Sequence, residues 1–260
     1  MQHFVVMKRT RQSNNIAPIK GFHFDAATHS YFLDGRPMTG VTTILGVLGK
    51  PALINWAAKM ATEYVGGKWM ANIAYSGGEI AQVLEEARVA HTRKKEDAAQ
   101  KGTDLHALVE EYVRGCIEAN NGKPMLAYRE ADKIGQFIDW AIKENVRFLA
   151  SERRMYSKKL FVAGTVDIVF EKDGKTYIGD IKTYAKIWDR VPFFQAAGYG
   201  LMLTETERKE IAGYCILRLS KDGTFEALWG FDTKGDTDAF LACVTIYRAL
   251  QAFNEIKVKG

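Results

Sequence analysis

The sequence predicts a mixed α/β fold, a sheet core flanked by helices and preceded by a helical elaboration. Three observations predict it. Up to about residue 149, apolar residues recur three and four apart, the period of helices that bury one face. After Ser151 the texture changes to short apolar runs separated by glycine turns, the pattern of strands. Helix-period segments then alternate with those strands towards the C-terminus. At 260 residues, 47% apolar and 26% charged, the chain can bury a core without disulfide or metal staples.

Taken in order, the first twenty residues carry Lys8, Arg9, Arg11 and Lys20 and no acid, and read as a flexible basic arm ahead of one domain over 21–260. Residues 22–33 suggest two short strands, with Asp34-Gly35 as a hairpin-type turn. Residues 41–65 read as helix, broken near Lys50-Pro51. A second helical stretch covers 79–101. Gly102-Thr103 interrupts it, and Thr103 caps a new helix over 104–119 with the stripe Leu105, Leu108, Val109, Tyr112, Val113 and Cys116. Asn120-Asn121-Gly122 ends that helix. Another covers about 129–149, with Ile134, Ile138, Ala141, Ile142, Val146 and Leu149 at helical spacing. The elaboration is thus about 41–149 and the sheet-bearing core about 150–260. In the core, strands are expected at 152–157, 161–170 and 176–182, then a helix over 192–203 with Pro192 in its first turn. Strands at 211–219 and 224–231 turn at Asp222-Gly223, and a last helix covers 236–255.

Charge and cysteine content bound the function. Lys and Arg total 36 against 31 Asp and Glu, a net charge of +5. That permits a nucleic-acid partner without establishing one. Cys116, Cys215 and Cys243 are odd in number, far apart and without CxxC spacing, which argues against a disulfide framework, a zinc knuckle or an iron–sulfur cluster. Three buried thiols in a reducing compartment are expected. No run approaches the roughly 18 apolar residues of a membrane span, and the first residues lack the apolar run of a secretory signal. A cytoplasmic location with no membrane partner is the expectation.

The most informative stretch is 161–182. With Asp173-Gly174 as a two-residue turn, Asp167 and Asp180 stand opposite one another, about 4.5–5.5 Å apart at Cβ, whereas a three-residue loop shifts the register by one. On simple alternation Ala163, Thr165, Asp167 and Val169 share a face of the first strand, and Ile178, Asp180 and Lys182 share a face of the second. Two like charges so placed destabilise a sheet unless one acid stays protonated or a hard divalent cation binds both. Two carboxylates and a lysine on one sheet edge suit phosphodiester hydrolysis, in which a metal activates water and Lys182 stabilises developing charge. An Asp-X-Lys triplet alone is equally what a solvent-exposed hairpin carries. The flanking Val166, Ile168, Val169, Phe170, Tyr177, Ile178 and Ile181 make both strands nearly apolar, as in strands buried on both faces.

Four elements in order, Gly102-Thr103-Asp104-Leu105-His106, Gly164-Thr165-Val166-Asp167, Gly179-Asp180-Ile181-Lys182-Thr183 and Gln195-Ala196-Ala197-Gly198-Tyr199, resemble the PD-(D/E)XK nuclease superfamily, most closely its RecB-like branch and phage-type exonucleases. The likeness covers about residues 100–203. Val166 stands where the family name has proline, and Asp180 where many members have glutamate. The resemblance implies a restriction-endonuclease-like mixed sheet. It also implies a metal-dependent DNA nuclease, an exonuclease in DNA processing or recombination, of phage or prophage source and acting in the host cytoplasm. Mg²⁺ or Mn²⁺ would be held by His106, Asp167, Asp180 and the Ile181 carbonyl, with Lys182 aiding water attack and Gln195 and Tyr199 orienting the lysine, a water or the DNA backbone. His106, read in the first turn of its helix, would be kept neutral by the helix dipole. Glu110, one turn on, is either a partner of that histidine or a solvated acid. Glu152 matches an acid often found before the first core strand, and a surface glutamate fits equally.

Basic residues near these elements, Arg153, Arg154, Lys158, Lys159, Lys186 and Arg190 with Arg93, Lys94, Lys95 and Lys101, are interleaved with Tyr156, Tyr184, Trp188, Phe193 and Phe194. That pattern suits a DNA-binding track, and Arg153, Arg154, Lys158, Lys186 and Arg190 are its main candidates. A solvated charged rim is the plainer explanation for any one of them. A structure-specific or nicking endonuclease, and a non-catalytic DNA-binding accessory protein, remain as alternatives. A recombination or replication protein is a candidate partner, and the oligomeric state is open.

Overall fold

Three short strands, β1 (Phe22–Asp25), β2 (Ser30–Leu33) and β3 (Arg36–Gly40), form an antiparallel meander at the start of the computed structural model. The structure describes residues 20–49, 51–70, 73–126, 131–184, 186–220 and 223–259. Lys8, Arg9 and Arg11 of the expected arm, and Asp222 of the expected turn, lie outside them. Asp34 and Gly35 turn β2 into β3 with φ of 50° and 75°, the double left-handed geometry of a tight hairpin. The sequence pattern did not reveal β3, whose Arg36-Pro37 start reads as loop. It leads into α1 (Val41–Leu45), a 3-10 turn (Gly46–Leu48) and α2 (Pro51–Lys68), so the expected break near residue 50 is present.

Helix α3 (Gly77–Arg88) opens on a capping box. Ser76 Oγ accepts from the Glu79 amide at 3.2 Å, and Glu79 Oε2 accepts from the Ser76 amide at 2.7 Å. The predicted interruption at Gly102-Thr103 does not occur. α4 runs unbroken from Ala90 to Asn120, and the discontinuity falls at Val89 instead. One glycine costs a helix only about 1 kcal/mol. Burial of Val109, Tyr112, Val113 and Cys116 against the sheet outweighs it.

The expected helix over 129–149 is also corrected. α5 (Ala131–Lys143) stops at a left-handed Asn145, and Arg147–Ser157 forms strand β4. A bulge between Phe148 and Ala150 sends Phe148 to one side of the sheet and Leu149 and Ala150 to the other, so the helical spacing of Val146 and Leu149 was coincidental.

The rest follows the expected order: β5 (Val162–Lys172), β6 (Lys175–Lys182), α6 (Val191–Glu207), β7 (Ile211–Leu219), β8 (Phe225–Gly230) and α7 (Thr233–Lys259). The eight-stranded mixed sheet has the order β1-β2-β3-β5-β6-β7-β8, with β4 paired along the other edge of β5. Helices α4 and α5 cover one face around Phe137, Phe148, Phe170 and Leu217. Helices α1, α6 and α7 cover the other around Ile44, Val166, Ile178 and Phe240. The β5–β6 register is the expected one, from Lys172↔Lys175 at the turn to Ile168↔Gly179. Among the described residues no helix is long and apolar enough to cross a membrane.

Gly122 seats the end of α4 on the sheet. Its φ is 79°, its carbonyl accepts from the Phe148 amide at 2.8 Å, and an added Cβ would lie 2.1 Å from the Phe148 carbonyl oxygen. Gly122→Ala is therefore expected to destabilise the protein by about 2–4 kcal/mol. Thermal unfolding should show Tm lower by roughly 5–15 °C.

Candidate metal centre

One edge of β5 is shared by two strands that do not meet. β3 pairs with Val162 and Ala163, and β6 pairs from Ile168 onward. Among the described residues no strand pairs with 164–167 on that edge, and this opening holds the Gly164-Thr165-Val166-Asp167 element. On the other edge 164–166 stay paired with β4, yet the strand does not keep simple alternation through Asp167. Val166 and Val169 pack towards α6 and α7, while Ile168 and Phe170 pack towards α4 and α5. The expected common face of Ala163, Thr165, Asp167 and Val169 is therefore not observed, because Asp167 turns towards α4. Its Oδ2 accepts from the Ile181 amide at 2.6 Å, so the chemistry of Ile181 seen here is that of its N–H.

His106 Nε2 lies 3.2 Å from that same Asp167 oxygen and 4.0 Å from Glu152 Oε1. One ligand atom from each of His106, Glu152 and Asp167 lies within 4.8 Å of the others. The expected ligand set is thus revised: Glu152 joins the cluster, and Asp180 stands outside it. Glu152 occupies the middle of β4 with φ of 46°, a conformation that costs a non-glycine residue about 1–3 kcal/mol. A side chain kept in strained backbone at a cluster of acids is a functional-site signal, and it was invisible in the sequence.

Burial and the Asp167 charge push the Glu152 carboxyl up to about 7, against the pull of His106. For His106, burial favours the neutral ring, but the hydrogen bond to Asp167 and the charges of Asp167, Glu152 and Asp180 outweigh it and raise its pKa. The helix-dipole expectation fails because His106 sits well inside α4, far from either end. Burial would raise Asp167, yet His106, Lys182 and the Ile181 amide hold it below the ordinary carboxylate range.

Beside this cluster Asp180 is wholly buried, with Lys182 Nζ 2.6 Å from its Oδ2. Lys182 is thus the partner of Oδ2, and Oδ1 has no hydrogen-bond partner among the described residues. Burial raises Asp180 despite Lys182, and the Asp167 charge adds to the rise. Lys182 also donates to Gln195 Oε1 at 3.2 Å, and Gln195 Nε2 donates to the Tyr199 hydroxyl at 3.1 Å. Gly164 makes room for this chain, since a Cβ there would lie 2.6 Å from Tyr199 Cε1. The meander joins in through Tyr31, whose hydroxyl is 2.9 Å from Thr165 Oγ1. No local signal in the sequence marked that contact.

His106, Glu152 and Asp167 line a cleft of about 740 Å³ together with Tyr31, Glu110 and Tyr199, whereas Asp180, Lys182 and Gln195 lie outside its lining. Glu110 also accepts from Arg114 at 3.2 Å. Two of the five expected DNA contacts are engaged within the fold. Arg153 pairs with Glu207 of α6 and is only 13% exposed. Arg190 makes a two-pronged pair with Asp236 of α7, at 2.6 and 3.1 Å. Arg154 lies over the Phe24 ring at 4.5 Å, and Lys158 and Lys186 face solvent.

No family model matches the chain, and no curated protein matches it. The solved structure of SSO0001 aligns with 76% of this chain and 88% of its own at 12% identity, with a TM-score of 0.32, too low to transfer fold or function.

The strained acid generates a prediction. The folded pKa of Glu152, about 7, exceeds the ordinary glutamate value of about 4.3. The stability this group contributes is present below the lower value and is lost as pH rises through the upper one. Glu152→Gln should therefore raise the Tm of the metal-free protein above about pH 7, by roughly 3 °C, and leave it unchanged near about pH 4. Melting curves of both proteins across that range check this, and a variant less stable than wild type at high pH would contradict it.

Proposed function

We propose that this chain is a divalent-metal-dependent deoxyribonuclease of the PD-(D/E)XK kind, acting as an exonuclease. The observation that carries the reading is a wholly buried carboxylate, Asp180, with the Lys182 ammonium 2.6 Å from its Oδ2 and no partner on its Oδ1, beside the His106–Glu152–Asp167 cluster. Buried polar atoms in native proteins have partners, so such a carboxylate points to a ligand or to work in a reaction.

The donor set fits Mg²⁺ or Mn²⁺, being mostly carboxylate oxygen with one imidazole. His106, Glu152 and Asp167 would hold the ion, with Asp180 adjacent. When bound, it would lower the pKa of a water and offset charge on the scissile phosphate. Lys182 places its ammonium where it can stabilise charge developing on a phosphate oxygen or orient the attacking water. Asp180 and Gln195 hold that ammonium, and Tyr199 holds Gln195, so the lysine is positioned before substrate arrives. Ile181 fixes Asp167 through its amide. Arg154, Lys158 and Lys186 supply positive charge for the DNA backbone.

Free, buried Cys116, Cys215 and Cys243 suit a reducing cytoplasm. The role in DNA processing or recombination, a partner protein there and a phage or prophage source are supported by the four sequence elements.

Asp180→Ala and Lys182→Ala are each expected to lower the rate of divalent-dependent DNA degradation by about 10²–10⁴. End-labelled linear duplex and single strands should be degraded while a closed circle survives. Equal rates in wild type and variants would refute the mechanism, and a cut circle would make the enzyme an endonuclease. A second outcome concerns pH. Protons on Glu152 and His106, both raised, compete with the metal. The affinity for Mn²⁺ should rise from about pH 6 to about pH 8, roughly tenfold per pH unit for each proton displaced. Calorimetric titration at several pH values checks the direction.

A further inference from the structure

The segment between β6 and α6 is held at both ends by the site. Lys182 ends β6, Thr183 lines the cleft, and Gln195 in the second turn of α6 accepts from Lys182. The segment is also pinned from within. Ile187 packs against the α6–α7 core, Asp189 Oδ1 accepts from the Val191 amide at 3.0 Å, and Arg190 grips Asp236. Between these fixed points Trp188 points outward and is 75% exposed. The Lys186 ammonium stands 4.7 Å from the centre of its ring.

A single exposed apolar side chain is ordinary. An exposed indole is less so when its neighbours on both sides are tied to the fold, a cation sits on one face, and the segment begins directly after the candidate catalytic lysine. With Lys186 on one side, the rest of the ring surface stays open to a flat partner. A flat aromatic face next to a positive charge matches a nucleobase and its phosphate, because bases stack on aromatic rings while the phosphate seeks the cation.

We infer that Trp188 and Lys186 form a stacking platform for an unpaired nucleobase on the segment that leads from the candidate catalytic lysine to α6. A strand seated on this platform is therefore single-stranded at that point, either as a free strand or as the frayed end of a duplex. A base inside a duplex has both faces covered by its neighbours and cannot use the platform. This inference rests on the nuclease reading and adds the form of its substrate.

The test is binding of a short fluorescein-labelled oligothymidylate to the full chain, in chelator so that the strand stays intact. An abasic oligomer with the same backbone serves as comparison. Wild type should bind the base-bearing strand roughly tenfold more tightly than the abasic one. Trp188→Ala should bind both at the abasic level, and Trp188→Phe should keep most of the preference. Lys186→Gln should reduce the salt dependence of binding by about one counterion. Equal binding of both oligomers by wild type and Trp188→Ala would overturn the platform while leaving the nuclease reading intact. A chain that neither binds nor, with Mn²⁺, cuts any DNA would overturn both.

Discussion

The site depends on a short length of unshared strand edge. β3 and β6 both pair with β5 and stop short of each other, so among the described residues no strand pairs with 164–167 on that side. A continuous ladder would fix alternation and send Asp167 to the face of Val169. The opening instead lets Asp167 bond the Ile181 amide and meet His106 from α4, while Tyr199 from α6 approaches Gly164 from the other face. Side chains from both helical layers thus reach one point, which an uninterrupted sheet would prevent.

Electrostatics then divide the acids between two roles. Asp167 touches a histidine, feels a lysine and accepts an amide, so it stays ionised. Asp180 is enclosed, and Glu152 is held in strained backbone against another acid, so both carboxyls are raised. Such a cluster is unfavourable in isolation, and a bound cation would relieve it. The cost is borne by the surrounding fold. Arg153–Glu207 ties β4 to α6, and Arg190–Asp236 ties α6 to α7. These pairs hold the helix carrying Gln195 and Tyr199 at the sheet, which is why two of the expected DNA contacts serve the scaffold instead.

Where the rules are local, the sequence is legible. The β5–β6 hairpin has nearly continuous apolar strands and an Asp-Gly turn, both decided within a few residues, and its register from Lys172 to Ile168 is as read. The same holds for the break near residue 50 and for the order of strands and helices after Ser151. His106, Lys182, Gln195 and Tyr199 converge in space because strand ends and helix faces follow from those local periods. Legibility fails where distant surfaces decide. The continuity of α4 through Gly102 depends on what its stripe buries. The end of α5 at Asn145 depends on β4 joining the sheet, since Val146 and Leu149 fit a helix equally well.

Residue types and short-range spacing by themselves determined a mixed α/β chain with two acids and a lysine on one hairpin and a histidine on a preceding helix. Tertiary structure alone decided which acids act together. It brought Glu152 to His106 and Asp167, set Asp180 beneath them beside Lys182, and committed Arg153 and Arg190 to carboxylates of other elements. The physical reason is that charge interactions depend on distance and burial, and both are properties of the packed sheet and helices that no local pattern encodes.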